Sequence, residues 1–311
     1  MSRALTFHIG AIIVLAVLQF ILPVYHSGNL ARIMVLAVYA MGYNVMFGYT
    51  GLLSLGHAMF FAVGMYGAGL SIRLLSLGAA PAFGIGIIAS ILFSLGVGLL
   101  ALRTIGVAFM IVTLMFSQAI YLLILYFNPL TRGDEGFVIP QAVRQVAGFD
   151  LSDPVTRYFA ALLLFAIALL GMVWLVRSRT GRVLVAIREN EERARMLGYD
   201  SWAHKLFAVV LSGTMSGAAG AAYGLLFGSV GASFAEVPFS ILPLLYVLLG
   251  GPGTVIGPFV GTLFMFYLRD ISSSFTDAHM LVAGIVLVLL TMYARRGIMG
   301  VVRERWAKWL P

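Results

Sequence analysis

Long apolar runs separated by short polar gaps dominate the 311-residue chain. A helix that crosses a bilayer needs about 20 predominantly apolar residues, whereas barrel strands show short alternating segments. By that measure helices are expected near residues 6–25, 31–48, 57–75, 81–101 and 105–127. A second group falls near 158–176, 203–229, 239–250, 256–269 and 279–294, with "GGPGTVIGP" dividing the pair at 239–269. The pattern predicts an all-α fold: a single polytopic transmembrane helical bundle over residues 1–311, with the first run a retained helix.

The polar gaps set the orientation. Residues 177–205 hold Arg177, Arg179, Arg182, Arg188, Arg193, Arg195 and Lys205, and the tail holds Arg295, Arg296, Arg303, Arg305 and Lys308. Arg and Lys favour the cytoplasmic side, so both segments belong there and an even number of spans separates them. About ten spans with both termini cytoplasmic satisfies this, and leaves residues 128–157, with Asp134, Glu135, Asp150 and Asp153, as an extracytoplasmic loop. Ten spans divide 5+5, the layout of an inverted repeat. Gly48-x2-Gly51-x4-Gly56 echoes Gly250-x2-Gly253-x3-Gly257, yet both fall on the cytoplasmic side. They read as two similar local devices.

Three stretches break the greasy pattern. "GYTGLLSLGH", residues 48–57, crowds glycines and polar groups at the end of a span. Irregular backbone at membrane depth survives only when buried in protein or lining a water-filled cavity. His57 fits either a cavity wall or a hydrogen bond bracing the break. Residues 178–200, "SRTGRVLVAIRENEERARMLGYD", form a polar helical pattern bracketed by Gly181 and Gly198. Glu189 and Glu191 stand four residues before Arg193 and Arg195. A solvated connector and a helix that docks a cytosolic partner both fit. Finally, Gly213, Gly217, Gly220, Gly224 and Gly228 form a small-residue stripe, the usual signature of close helix packing.

Composition removes several classes. The chain is 61% hydrophobic and 10% charged, against about 25% charged in soluble domains. A formal net charge of +8 fits Arg-rich loops and not a nucleic-acid surface. Without cysteine there is no disulfide and no thiolate metal site. Its two lysines, Lys205 and Lys308, follow no glycine, so no G-x-x-x-x-G-K-[ST] loop exists to hold ATP. No acid lies mid-span, which argues against a proton-coupled carrier. The histidines lack chelating spacing.

"GYTGLLSLGHAMFFAVGMY", "GRVLVAIRENEERARMLGY", "VLLGGPGTVIGPFVG" and "RRGIMG" together resemble the permease subunits of branched-chain amino acid ABC importers, most closely the LivM type. The resemblance runs from about residue 30 to residue 300, with four motifs in the family's order. It implies a membrane subunit in the cytoplasmic (inner) membrane of a prokaryote, importing branched-chain or similar small neutral amino acids. The implied partners are a LivH-type permease, two cytosolic ATPases that carry ATP and magnesium, and an extracytoplasmic substrate-binding protein. This chain is then no enzyme and holds no cofactor.

By position, the segment that couples to the ATPases holds Gly181, Arg182, Ala186, Ile187, Arg188, Glu189, Asn190, Glu191 and Gly198. The expected translocation path holds Asn44, Gly48, Thr50, Gly51, Ser54, Gly56, His57 and Thr113, with Gly250, Gly251, Gly253 and Gly257 from the second break. Leu52 stands where the family often has Gln, and Arg132 where it often has Gly. A related branch that carries urea and short amides has an equally similar "GLLSLGH" stretch, and a passive channel is the alternative from another class.

Overall fold

The computed structural model describes residues 3–146, 148–273, 281, 284, 285, 288, 296–306 and 309. Within them lie α1 (Arg3–Ile21), α2 (Val24–Asn44), α3 (Ala58–Leu75), α4 (Ala79–Ala101), α5 (Val107–Tyr126) and a one-turn α6 (Asn128–Thr131). Next come α7 (Pro154–Arg177), α8 (Arg179–Glu189), α9 (Glu191–Met196), α10 (Ser201–Phe227), α11 (Val237–Gly250), α12 (Gly257–Ser273) and α13 (Gly297–Arg305). Seven helices among the described residues are long and apolar enough to cross a membrane. The chain is a polytopic helical membrane protein. The span expected at 279–294 lies outside the described residues apart from four isolated positions.

Burial follows residue size more than polarity. In lipid no hydrophobic effect drives helices together, so small residues mark the contacts and large apolar ones face the bilayer. On α4 the buried positions include Ala82, Gly86, Ser90 and Ser94, while Ile88, Leu92, Leu95 and Leu99 are exposed. The glycine stripe of α10 packs against α3 and α4. A Cβ at Gly217 would overlap Ser90, one at Gly220 the Phe61 carbonyl, and one at Gly213 the Ser94 side chain. The stripe is therefore a packing seam.

The centre of the bundle is α2, whose residues from Asn29 to Asn44 are almost all buried among α7, α10, α11 and α12. By contrast α1 rests mainly on α7 among the described residues, fastened where the Tyr158 hydroxyl donates to the Leu15 carbonyl at 2.7 Å.

The two ends of the bundle differ. One carries the charged helices α8 and α9; we call it the charged end. The other carries the loop after α5, the loop end. There β1 (Phe137–Val138) pairs antiparallel with β4 (Ser229–Val230), and β2 (Gln145–Val146) with β3 (Phe149–Asp150). These short strands satisfy backbone that the long loop 128–157 would otherwise leave unpaired.

At 1.5 Å per residue α10 runs about 40 Å from the charged end to the loop end, and α11 returns only about 21 Å. A 3-10 turn at Ala232–Ala235 leads into it. Then α12 packs antiparallel on α11, with Gly261 against the Tyr246 carbonyl and Gly250 against that of Gly257. The division expected within 239–269 is present, but α11 falls short of the roughly 30 Å of a bilayer core.

Candidate functional site at the charged end

Where α2 ends the chain does not simply turn. Its last turn widens into a π-helical turn over Val45–Tyr49, a distortion that recurs at functional sites because it frees backbone groups for other partners. Thr50 returns its hydroxyl to the Val45 carbonyl at 2.9 Å, and Leu52 N–H reaches Met46 at 2.9 Å. From there an irregular stretch leads to α3.

The second break, residues 251–256, closes against the first. The Asn44 amide clamps it by both ends: Oδ1 accepts from Gly253 N–H at 3.0 Å and Nδ2 donates to the Thr254 carbonyl at 2.9 Å. A Cβ at Gly48 would stand 2.6 Å from Gly253 N, so the two backbones meet without room for a side chain. Gly253 has φ +72°, a conformation that glycine adopts without strain. The two similar local devices thus form a single junction.

Charged residues lock the junction from outside. Arg188 on α8 donates through Nη1 to the Gly48 carbonyl, and its methylenes cover Gly51. Arg303 on α13 donates to the Gly253 carbonyl at 3.2 Å. The start of α13 packs on Gly251, whose Cβ would stand 2.8 Å from Gly300 N. All four stretches quoted above, far apart in sequence, therefore converge. A cavity of about 440 Å³ opens beside them, lined by Tyr49, Val185, Arg188, Gly253, Arg296 and Arg303 among others.

The charged segment is two helices. Ser178 caps α8, accepting from Gly181 N–H at 3.1 Å, and Val183, Leu184 and Ile187 are buried. Asn190 then turns extended, at φ −161° and ψ 104°, and caps α9 by accepting from Arg193 N–H at 2.9 Å. The single helix expected from Gly181 to Gly198 is interrupted, because an Asn side chain competes well for the free N–H groups of a helix start. Across that interruption Glu189 and Arg193 no longer share a helix face. Glu191 does meet Arg195, at 2.7 Å, and also Lys205 of α10.

Burial works against the Glu191 carboxylate, but hydrogen bonding and charge from Lys205, then Arg195, prevail and hold its pKa below the usual glutamate value. Arg182, Arg188, Glu189, Asn190 and Gly198 are exposed, and Ala186 is half-buried. Beyond them Met196 and Leu197 project with 82% and 75% of their surface free, beside Tyr199 and Trp202. An apolar cluster at the tip of a charged segment is out of place in water.

The remaining expected path residues face inward. His57 is fully buried, with Nε2 2.7 Å from Ser216 Oγ and its ring between Tyr39 and Tyr43. Ser54 accepts at its carbonyl from Tyr43 OH at 3.0 Å. Gly56 is pressed on the Thr113 carbonyl, and Thr113 Oγ1 accepts from Leu55 N–H at 3.3 Å. These groups brace the irregular stretch against α5 and α10, away from the Asn44 junction. Leu52 packs in a cluster with Met46, Met59 and Phe109.

Sequence reasoning missed Arg303 and Tyr49. "RRGIMG" pointed to the neighbourhood of Arg303, but nothing in the local pattern distinguishes that arginine from the other tail cations.

Residues 26–291 match the family described as the permease component of branched-chain amino acid transport systems. Relatives include the high-affinity branched-chain amino acid transport system permease proteins LivM of Salmonella typhimurium and Escherichia coli. Each is 29% identical over 297 residues, covering 88% of this chain and 69% of the relative. The corresponding permease protein BraD of Pseudomonas aeruginosa is 23% identical, covering 85% of this chain and 91% of its own. A match spanning most of the bundle, with all four motif stretches gathered at one junction, leads to one conclusion: the chain belongs to the permease-component family of branched-chain amino acid transport systems.

Proposed function

We propose that this chain is the membrane-spanning subunit of an ATP-driven importer of branched-chain or similar small neutral amino acids. It sits in the cytoplasmic membrane of a prokaryote with α8 and α9 facing the cytosol. A LivH-type permease completes the path, two cytosolic ATPases hold ATP and magnesium, and an extracytoplasmic binding protein delivers cargo at the loop end. Residues 178–200 dock in the ATPase groove, with the apolar tip at Met196, Leu197 and Tyr199 supplying the buried contact.

The observation that carries this reading is the hydrogen bond from Arg188 to the Gly48 carbonyl. It joins the docking segment directly to the break between α2 and α3. Closure of the ATPases on ATP displaces α8, and Arg188 passes the displacement to Gly48, hence to Asn44 and the 250–257 break. These two breaks form the path's gate on the cytosolic side. Their buried polar groups are the supports of that gate.

The test is uptake of L-leucine into proteoliposomes holding the complete assembly. Arg188→Glu and Glu189→Arg should leave the assembly intact and hydrolysing ATP while accumulation is lost. Normal uptake in both variants refutes the coupling role, and accumulation without ATP hydrolysis refutes the importer.

A further inference from the structure

Two openings lie toward the loop end. The first is a cavity of about 310 Å³ where short α11 begins, walled by Tyr223, Phe239, Tyr246 and Phe266 among others, with Arg269, Asp270 and Ser273 at its border. Its carboxylate is already engaged, because the Tyr25 hydroxyl donates to both Asp270 oxygens, at 2.8 and 2.9 Å. The second is a groove of about 290 Å³ between α4 and α7, floored by α10, and every residue lining it is apolar. It runs about 10 Å along α7, from Ala160 to Ile167. Leu163 and Ile167 at its edge are 62% and 64% exposed, so it opens outward. Small residues mark helix contacts in lipid, yet here Ala80, Ala160 and Ala222 border open space.

Three arginines gather at the loop-end mouth of this groove. Leu226 lines the groove, and the next residue, Phe227, ends α10. The guanidinium carbons of Arg32 and Arg157 lie 5.2 and 5.6 Å from the centre of the Phe227 ring. Arg144 is tied to the groove wall by its backbone, whose carbonyl accepts from Leu151 N–H at 2.9 Å. Its guanidinium lies against Gly228 and reaches the Leu226 carbonyl at 3.5 Å. Arg157 stands in the first turn of α7, so the cluster sits at the ends of two long spans, where headgroups lie. Arg32 is exposed, and Arg144 and Arg157 are half-buried.

The positive charge of this cluster is only partly answered. Arg32 and Arg144 oppose Arg157 electrostatically, while Asp153 favours it. Asp153 caps α7 by accepting from Thr156 N–H at 2.9 Å, and Asp150 accepts from Gln141 and Ser152, both at 2.8 Å. Neither carboxylate forms an ion pair with these arginines among the described residues. Three cations against two engaged acids leave a positive rim above an apolar groove. That combination matches a phosphodiester joined to a hydrocarbon chain, since arginine binds phosphate oxygens well and an acyl chain needs no polar partner.

We propose that an anionic phospholipid occupies this place, its phosphate between Arg144 and Arg157 beside Arg32, and one acyl chain laid in the groove between α4 and α7. A zwitterionic lipid would bring an ammonium to a rim that is already positive, so the cluster favours a lipid of net negative charge. The chain fills the space that the alanines leave and fastens α4 to α7 across α10. This site needs only the membrane, whatever solute the protein carries.

The experiment takes the full chain, purified with its partner subunits, in nanodiscs of phosphatidylcholine containing phosphatidylglycerol with a diazirine on its acyl chain. Light should attach the probe to Phe83, Leu164 and their neighbours in the groove, read by peptide mass spectrometry. The double variant Arg144→Gln, Arg157→Gln should lower this labelling about tenfold, while labelling of the lipid face at Leu92 stays constant. Unlabelled phosphatidylglycerol should compete, and phosphatidylethanolamine should not. Leu164→Trp, which fills the groove and keeps the arginines, should abolish labelling of Phe83. If the double variant fails to assemble, Leu164→Trp and the lipid competition decide. Groove labelling at the wild-type level in either variant overturns the site. Competition by soluble glycerol phosphate overturns the lipid in favour of a free anion. An unlabelled groove in the unmodified assembly overturns it as well, and a photocrosslinker at Ile167 that then captures the partner permease identifies a protein contact.

Discussion

The junction at the charged end and the cavity at the loop end are built from the same helices, α2, α11 and α12, on opposite principles. At the junction backbone meets backbone: Asn44 holds the 253–254 peptide, Gly48 abuts Gly253, and Gly250 abuts Gly257. At the cavity, side chains stand apart around open space, most of them aromatic or aliphatic, with Arg269, Asp270 and Ser273 at its border. Helices held rigidly at one end and loosely at the other can pivot about the tight end. The end that transmits force under the proposed function is therefore packed to backbone density, while the loop end is left with open space.

That contrast breaks first where a side chain is forced into the junction. A Cβ at Gly250 would overlap the Gly257 carbonyl, and backbone cannot give way as a side-chain tip can. Gly250→Val should destabilise the purified assembly by about 3 kcal/mol or more, read as loss of the monodisperse complex after graded heating. Next, Asn44→Leu leaves Gly253 N–H and the Thr254 carbonyl buried without partners, for a loss of about 2–3 kcal/mol by the same assay. Phe266→Leu should cost only about 1 kcal/mol, since the half-buried ring borders the open cavity on one side and leaves no enclosed void when shortened. Equal losses at the two ends would abolish the distinction between them.

Much of the junction was legible in the chain because its signals are local. Glycine and polar residues at a span end announce broken helices, and the division at "GGPGTVIGP" follows from charge bookkeeping alone. The meeting of the two breaks was not legible. It depends on the crossing of α2 with the α11–α12 pair, and crossings are set by side-chain packing between distant segments. Asn190 defeated the single-helix reading of 181–198 for another reason: in sequence an Asn inside a polar helix and an Asn capping a new one look alike. The loop-end cavity gave no sequence signal. It exists because short α11 leaves space beside α12, which no local pattern announces.

Glu191 offers the finest test, because it lies between the docking tip and the bundle and should add little to either. Its carboxylate meets Arg195 on its own helix and Lys205 on α10, and these contacts lower its pKa below the ordinary value of 4.5. A carboxyl that ionises more readily when folded contributes stability above its unfolded pKa. That contribution fades as pH falls through the lower, folded value. Partial exposure and salt screening limit it to about 0.5 kcal/mol. Glu191→Gln should therefore be slightly less stable than the unmodified protein at pH 7 and low ionic strength, and the difference should shrink in high salt and fade as the pH falls below the folded value. A gap that instead persisted unchanged through acidification would mean that Glu191 acts through packing of its side chain against α10, which would extend the tightly packed region from the junction out to α9.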